Sequence, residues 1–133
     1  MKLKGRAIKA GKAWGPALVS PEPIGFLGGV DPETGLIVER GHPLEGEAVA
    51  GRILVFPTGK GSTVGSYVLY RLARNGLAPA GIINARSEAI VAVGAIIAGI
   101  PMVDGIDIGR IRNGEPVAID GEVVEIGEQG LGD

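Results

Sequence analysis

Cysteine is absent from this chain of 133 residues. That excludes disulfides, thiol nucleophiles and any iron–sulfur cluster held by thiolates of this chain. Histidine is nearly absent too: His42 stands alone, too few for a histidine-built zinc site. In Gly-His-Pro it reads as a solvated turn residue, and a Ser-His-Asp triad would have no other histidine to use. Aromatics are scarce, with only Trp14, Phe26, Phe56, Tyr67 and Tyr70, so Val, Ile, Leu and Ala must fill the interior. No sign of charge dominates: 13 Lys and Arg face 15 Asp and Glu, net −2. No basic stripe suited to a phosphate backbone follows, so nucleic acid is not an expected partner. Long apolar runs are missing as well. The longest, 89–100, is interrupted by Gly94 and Gly99 and is too short to span a bilayer. Residues 1–12 carry five cations and no signal-type apolar run, so no membrane partner and a cytoplasmic location are expected.

What the chain has is glycine, 24 residues of it, against the usual ~7%. The glycines are scattered without period among apolar runs, which points to many tight turns and close backbone approaches rather than to a fibrous or low-complexity chain. With 45% apolar residues, no linker and no repeat, residues 1–133 read as one domain.

Residues 2–9 alternate charged with small or apolar side chains, as a half-buried strand does. Runs 17–20 and 35–39 are short and β-like, separated by a Pro- and Gly-rich loop over 21–35. Residues 52–56 form a continuous apolar run, the pattern of a buried strand. After 57–61, Ser62 reads as the N-cap of a helix ending near Asn75-Gly76, with Val64, Tyr67, Val68 and Leu72 on its apolar face. Residues 80–84 repeat the buried-strand pattern. Ser87 reads as the cap of a second helix, 88–98, apolar on nearly every side and therefore expected to be buried. A short apolar run at 101–103 follows, and 116–126 reads as a hairpin turning at Asp120-Gly121. The fold class is thus mixed α/β: a short parallel βαβαβ core with flanking antiparallel strands.

The stretch that points to chemistry is Phe-Pro-Thr-Gly-Lys-Gly-Ser-Thr-Val-Gly-Ser-Tyr at 56–67, a glycine-rich turn between a buried strand and a helix start. Free N–H groups and the helix dipole favour an anion at such a place, and Gly59 and Gly61 let the backbone come close to it. A nucleotide P-loop is excluded by spacing. That motif needs Lys directly before the hydroxyl residue, whereas Gly61 separates Lys60 from Ser62, and Leu54 stands where its first glycine belongs.

Residues 58–67, with Gly-Leu-Ala-Pro-Ala-Gly-Ile-Ile-Asn-Ala-Arg at 76–86 and Ala-Gly-Ile-Pro-Met-Val at 98–103, resemble the small swivelling domain of the aconitase superfamily. There a Gly-x-Gly-Ser-[Ser/Thr] turn precedes a helix. Gly-Pro-Ala-Leu-Val-Ser at 15–20 and Gly-Phe-Leu-Gly-Gly-Val-Asp-Pro-Glu-Thr-Gly at 25–35 extend the likeness over nearly the whole chain, toward free-standing small subunits of the aconitase X group. The resemblance implies a swivelling β/β/α domain and a hydro-lyase of the mevalonate route to isoprenoids, acting on (R)-5-phosphomevalonate. It makes Ser62 the base beside a carboxylate, with Gly59, Lys60, Gly61, Thr63 and Arg86 around the substrate. It also implies a heterodimer with a large aconitase-like subunit that carries the [4Fe–4S] cluster. Val64 departs from the pattern, since many relatives have an arginine there to hold a substrate carboxylate; Arg86 is the replacement candidate. Two alternatives stay open: another aconitase-type dehydratase, for a hydroxyproline or small hydroxy acid, and a non-catalytic swivelling module.

Overall fold

The computed structural model describes residues 1–127. Its strands are β1 (Lys2–Lys4), β2 (Arg6–Lys9), β3 (Lys12–Val19), β4 (Ile53–Phe56), β5 (Gly81–Asn84), β6 (Met102–Asp104), β7 (Pro116–Asp120) and β8 (Val123–Ile126). Two helices, α1 (Gly65–Arg74) and α2 (Ala89–Ala98), follow β4 and β5. All eight strands form one sheet in the order β1-β8-β7-β3-β4-β5-β6-β2, with β3 to β6 parallel and the others antiparallel. The expected βαβαβ core is present, extended by β3 alongside β4.

The N-terminal segment expected as one strand is two. Gly5 breaks it, and the halves lie at opposite ends of the strand order. Gly5 donates its N–H to Glu122 O at 2.8 Å, and a Cβ there would lie 2.2 Å from Asp104 O. The two ends of the sheet therefore meet at Gly5, and the sheet curls closed on itself.

That closure explains why β4 and β5 are apolar at successive positions: both faces are covered. Ile53, Val55, Ile83, Val103, Val117, Ile119 and Val124 pack inside the curl. Leu54, Phe56, Ile82 and Met102 face outward, under Leu69 and Leu72 of α1, Val91 and Ala95 of α2, and Ile24, Phe26 and Ile37 of the 20–50 loop region. Phe26 and Phe56 meet edge to face, with ring centroids 6.1 Å apart.

Several local expectations need correction. α1 begins at Gly65, not Ser62: residues 62–64 form a turn in which Gly65 and Ser66 donate to the carbonyls of Ser62 and Thr63. The apolar face of α1 is Val68, Leu69 and Leu72, with Val64 and Tyr67 exposed. α2 is capped by Glu88, whose carboxylate accepts from Ile90 N and Val91 N at 2.7 and 2.8 Å. Ser87 is drawn away to Asp104. Nor is α2 enclosed, since only Val91, Gly94 and Ala95 are buried. The hairpin is present, but Asp120 pairs with Val123, so its two-residue loop is Gly121-Glu122. His42 is buried rather than solvated: its Nδ1 accepts from Leu44 N at 3.0 Å and its Nε2 lies 3.1 Å from Pro23 O. The tautomer protonated at Nε2 satisfies both bonds and pins the 40–46 turn to the Pro23 loop.

Asp104, buried at the end of β6, ties three segments together. It accepts from Arg6 Nε and Nη2 at 3.1 and 2.8 Å and from Ser87 N and Oγ at 3.2 and 2.6 Å. Burial pushes its carboxyl up, but the hydrogen bonds from Arg6 and Ser87, with the Arg6 charge, outweigh burial and hold the pKa below the ordinary carboxylate value. A carboxyl lowered on folding contributes stability above its unfolded pKa, about 3.9, and loses it as pH falls through the folded value. Wild type should therefore melt about 5 °C above Asp104→Asn at pH 6, with the gap closing as pH falls below about 4. A gap unchanged from pH 6 to 2 would refute this role for the carboxylate.

Candidate active site

β4 and β5 are parallel, so the loops leaving their carboxyl ends emerge at one edge, the usual place for a site in an α/β sheet. There Ala85 N and Arg86 N both donate to Pro57 O, at 3.1 and 3.0 Å. Asn84, fully buried, donates from Nδ2 to Phe56 O at 3.0 Å and to Ile83 O at 3.2 Å. This clamp brings Arg86 beside the loop that carries Ser62. A second loop joins from the other side: Ile24 N donates to Thr58 O at 3.3 Å and Lys60 N to Ile24 O at 3.1 Å.

Ser62 is exposed, and its Oγ accepts from Val64 N at 3.2 Å, an ST turn rather than a helix cap. Among the described residues, no protein oxygen accepts the N–H groups of Gly61, Ser62 or Thr63. Three consecutive free amides thus surround the serine, held open by Gly61 at φ +92°. Consecutive N–H groups without a protein acceptor favour an anion.

The two loop glycines differ in what they do. A Cβ on Gly59 would lie 2.3 Å from Glu88 Oε1 and 2.5 Å from Val91 Cγ2, so this glycine packs the loop onto the start of α2. Gly61 has open surroundings and is fixed by its positive φ. Lys60 pairs with Glu39, Nζ to Oε2 at 2.9 Å, while Arg86 is exposed and has no ion pair among the described residues. Thr63 lines a cleft of about 140 Å³ with Ser66, Ala89, Ile90 and Val93. Sequence reading missed Glu39, whose partner Lys60 lies on another segment and leaves no local signal, and it took Ser87 as the cap of α2 in place of Glu88, although an acidic residue at a helix start is itself a local signal. The structure places Ser62, Thr63 and Arg86 at one edge of the sheet. Among the described residues, no three His, Cys, Asp or Glu side chains are grouped as a metal site, and no helix is long and apolar enough to cross a membrane.

Comparison with known proteins agrees with this architecture. Residues 2–126 match the family model described as the aconitase X swivel domain. The phosphomevalonate dehydratase small subunit of Methanocella arvoryzae is 57% identical, covering 91% of this chain and 94% of that protein. That of Pyrococcus furiosus is 58% identical, over 95% and 94%. The crystal structure of Thermococcus kodakaraensis aconitase X in its holo-form superposes with a TM-score of 0.93 at 54% identity, covering 95% of this chain and 98% of that one. A match spanning both loops, both helices and the closed sheet leaves no other assignment: the chain belongs to the aconitase X swivel-domain family.

Proposed function

We propose that this chain is the small subunit of a phosphomevalonate dehydratase, the name its curated relatives carry. In this reading it supplies Ser62 as the base that removes the proton beside the carboxylate of (R)-5-phosphomevalonate. The observation that carries the reading is the setting of Ser62: an exposed hydroxyl that already accepts the Val64 N–H, beside the unbonded N–H groups of Gly61, Ser62 and Thr63. Hydrogen bonds to the charged form lower the cost of making an alkoxide. Water loss from a β-hydroxy acid also needs help at the leaving hydroxyl.

The donors of this chain do not fit the [4Fe–4S] cluster of aconitase-type enzymes. Cysteine is lacking and both nitrogens of His42 are engaged, so the cluster is assigned to the large subunit. The anionic substrate falls to Arg86, which has no ion pair among the described residues, and to Lys60, whose exposed pair with Glu39 is weak enough to exchange. Gly61 and Thr63 contribute backbone N–H groups, and Gly59 seats their loop on α2.

The test is reconstitution. The lone chain should not turn over (R)-5-phosphomevalonate, and activity should appear on anaerobic mixing with an aconitase X large subunit. In that mixture Arg86→Ala should raise KM by about 10- to 100-fold, as loss of a charged hydrogen bond does. Turnover by the lone chain would sink the two-subunit reading, and preference for a hydroxyproline would sink the substrate.

A further inference from the structure

Helix α2, Ala-Ile-Val-Ala-Val-Gly-Ala-Ile-Ile-Ala, contains no polar side chain, yet Val93, Ile96 and Ile97 are 48%, 51% and 46% exposed. A helix apolar on every side belongs in an interior. Beside it, α1 leaves Tyr67 65% exposed and Tyr70 partly so. The helices are held together at Gly94, where a Cβ would lie 2.5 Å from Leu69 Cδ1 and 3.2 Å from Ser66 Cα. Their outward side chains consequently make one face, and the cleft lined by Thr63, Ser66, Ala89, Ile90 and Val93 lies at its end. At Gly65, Leu27 N and Ile90 Cγ2 both come within 3.4 Å of the Cβ position, which joins Leu27 and Val64 to the same surface. The exposed parts of these side chains total on the order of 600 Å², the upper end for a monomer's largest apolar patch. A standard interface takes about 800 Å² per partner, and this patch is most of that.

We infer that this face is where the large subunit docks; the inference rests on the two-subunit reading and gives it a surface. Thr63 lines the cleft and directly follows Ser62, so whatever covers the face also closes over the serine loop. A partner that completes the site must lie there. A second copy docked through the same face by a two-fold axis would block both serine loops instead. Residues 62–70 and α2 contain no charged side chain, and the cations of α1, Arg71 and Arg74, lie in its last turn, away from the serine loop, so apolar contact dominates the association.

The experiment measures the dissociation constant of the heterodimer rather than turnover, which keeps the role of Ser62 out of the result. The double variant Val93→Glu/Ile97→Glu should bind the large subunit at least about 100-fold more weakly, as loss of a buried interface anchor does. Its melting temperature should stay near that of wild type, because both positions are half exposed in the lone chain. Trp14→Glu, on β3 and more exposed than either, should change affinity by less than about threefold, the scale of a contact outside the anchor cluster. Absence of binding by wild type would overturn the two-subunit reading and this inference together. Binding by wild type and by the double variant alike would overturn the docking face alone. Self-association lost in the double variant while heterodimer formation persists would give the face to a second copy and overturn the inference.

Discussion

In the assembled enzyme, Ser62→Ala should lower kcat by at least about 100-fold, the loss expected of a missing acid–base group. The lone chain should hardly register the same change. Ser62 lies three residues ahead of α1 and caps nothing, and its single exposed hydrogen bond from Val64 is worth at most about 1 kcal/mol. Catalysis and stability are therefore separated by position. Ser62→Asp keeps an acceptor for the Val64 N–H but offers a weak base, with a carboxylate pKa near 4, and should be as inactive as the alanine variant. Steady-state kinetics on the anaerobic heterodimer, with binding confirmed for each variant, decides the matter. Near wild-type kcat for Ser62→Ala would leave the serine without a catalytic role.

A second large effect is expected in stability, at two adjacent glycines that fail for different reasons. Gly29 has an ordinary φ but no room: its Cβ would sit 2.0 Å from the carbonyl oxygen of Gly25, a backbone atom that cannot move alone. Gly29→Ala should cost on the order of 3 kcal/mol, the upper range of overpacking, and lower Tm by roughly 10 °C for a domain of this size. Gly28 has room, with nothing within 4 Å, but φ is +79°. Gly28→Ala should cost only about 1 kcal/mol, the penalty of the left-handed region. The Gly29 loop packs on Phe56 through Phe26 and on Gly65 through Leu27, so its distortion should also weaken turnover. Equal melting temperatures for the two variants would overturn the distinction.

The parts of the fold that were legible are those whose cause is local. Ile53–Phe56 and Gly81–Asn84 announce burial on both faces by their unbroken apolar runs. Gly76 and Gly99 mark helix ends because each takes a positive φ there. The illegible parts depend on partners far away in sequence. The alternation of residues 2–9 reports strand geometry correctly, but nothing in it says that Lys2–Lys4 pairs with β8 and Arg6–Lys9 with β6. His42 is buried because the Pro23 carbonyl comes to meet it, and Ser87 does not cap α2 because Glu88 accepts the Ile90 and Val91 N–H groups while the Ser87 hydroxyl donates to Asp104. For the site, the Gly-x-Gly-Ser turn and Arg86 could be picked out, whereas the Glu39 that engages Lys60 could not. α2 was read as enclosed from its composition, and in the lone chain its outer face is bare.

The closure of the sheet at Gly5 has a consequence for how the protein is made. Lys2–Lys4 and Arg6–Lys9 precede the rest of the sheet along the chain, yet they find their hydrogen-bonding partners at Val123–Ile126 and Met102–Asp104, far downstream. The curl cannot shut before β8 has been synthesised. Until then the edges of β1 and β7, the two strands that β8 bridges, stand open, and open edges are where strands of other molecules attach. Pairing across so much sequence also raises contact order and slows folding. Synthesis that stalls short of β8 should therefore yield a chain with its helices begun, its sheet unsealed and a marked tendency to aggregate.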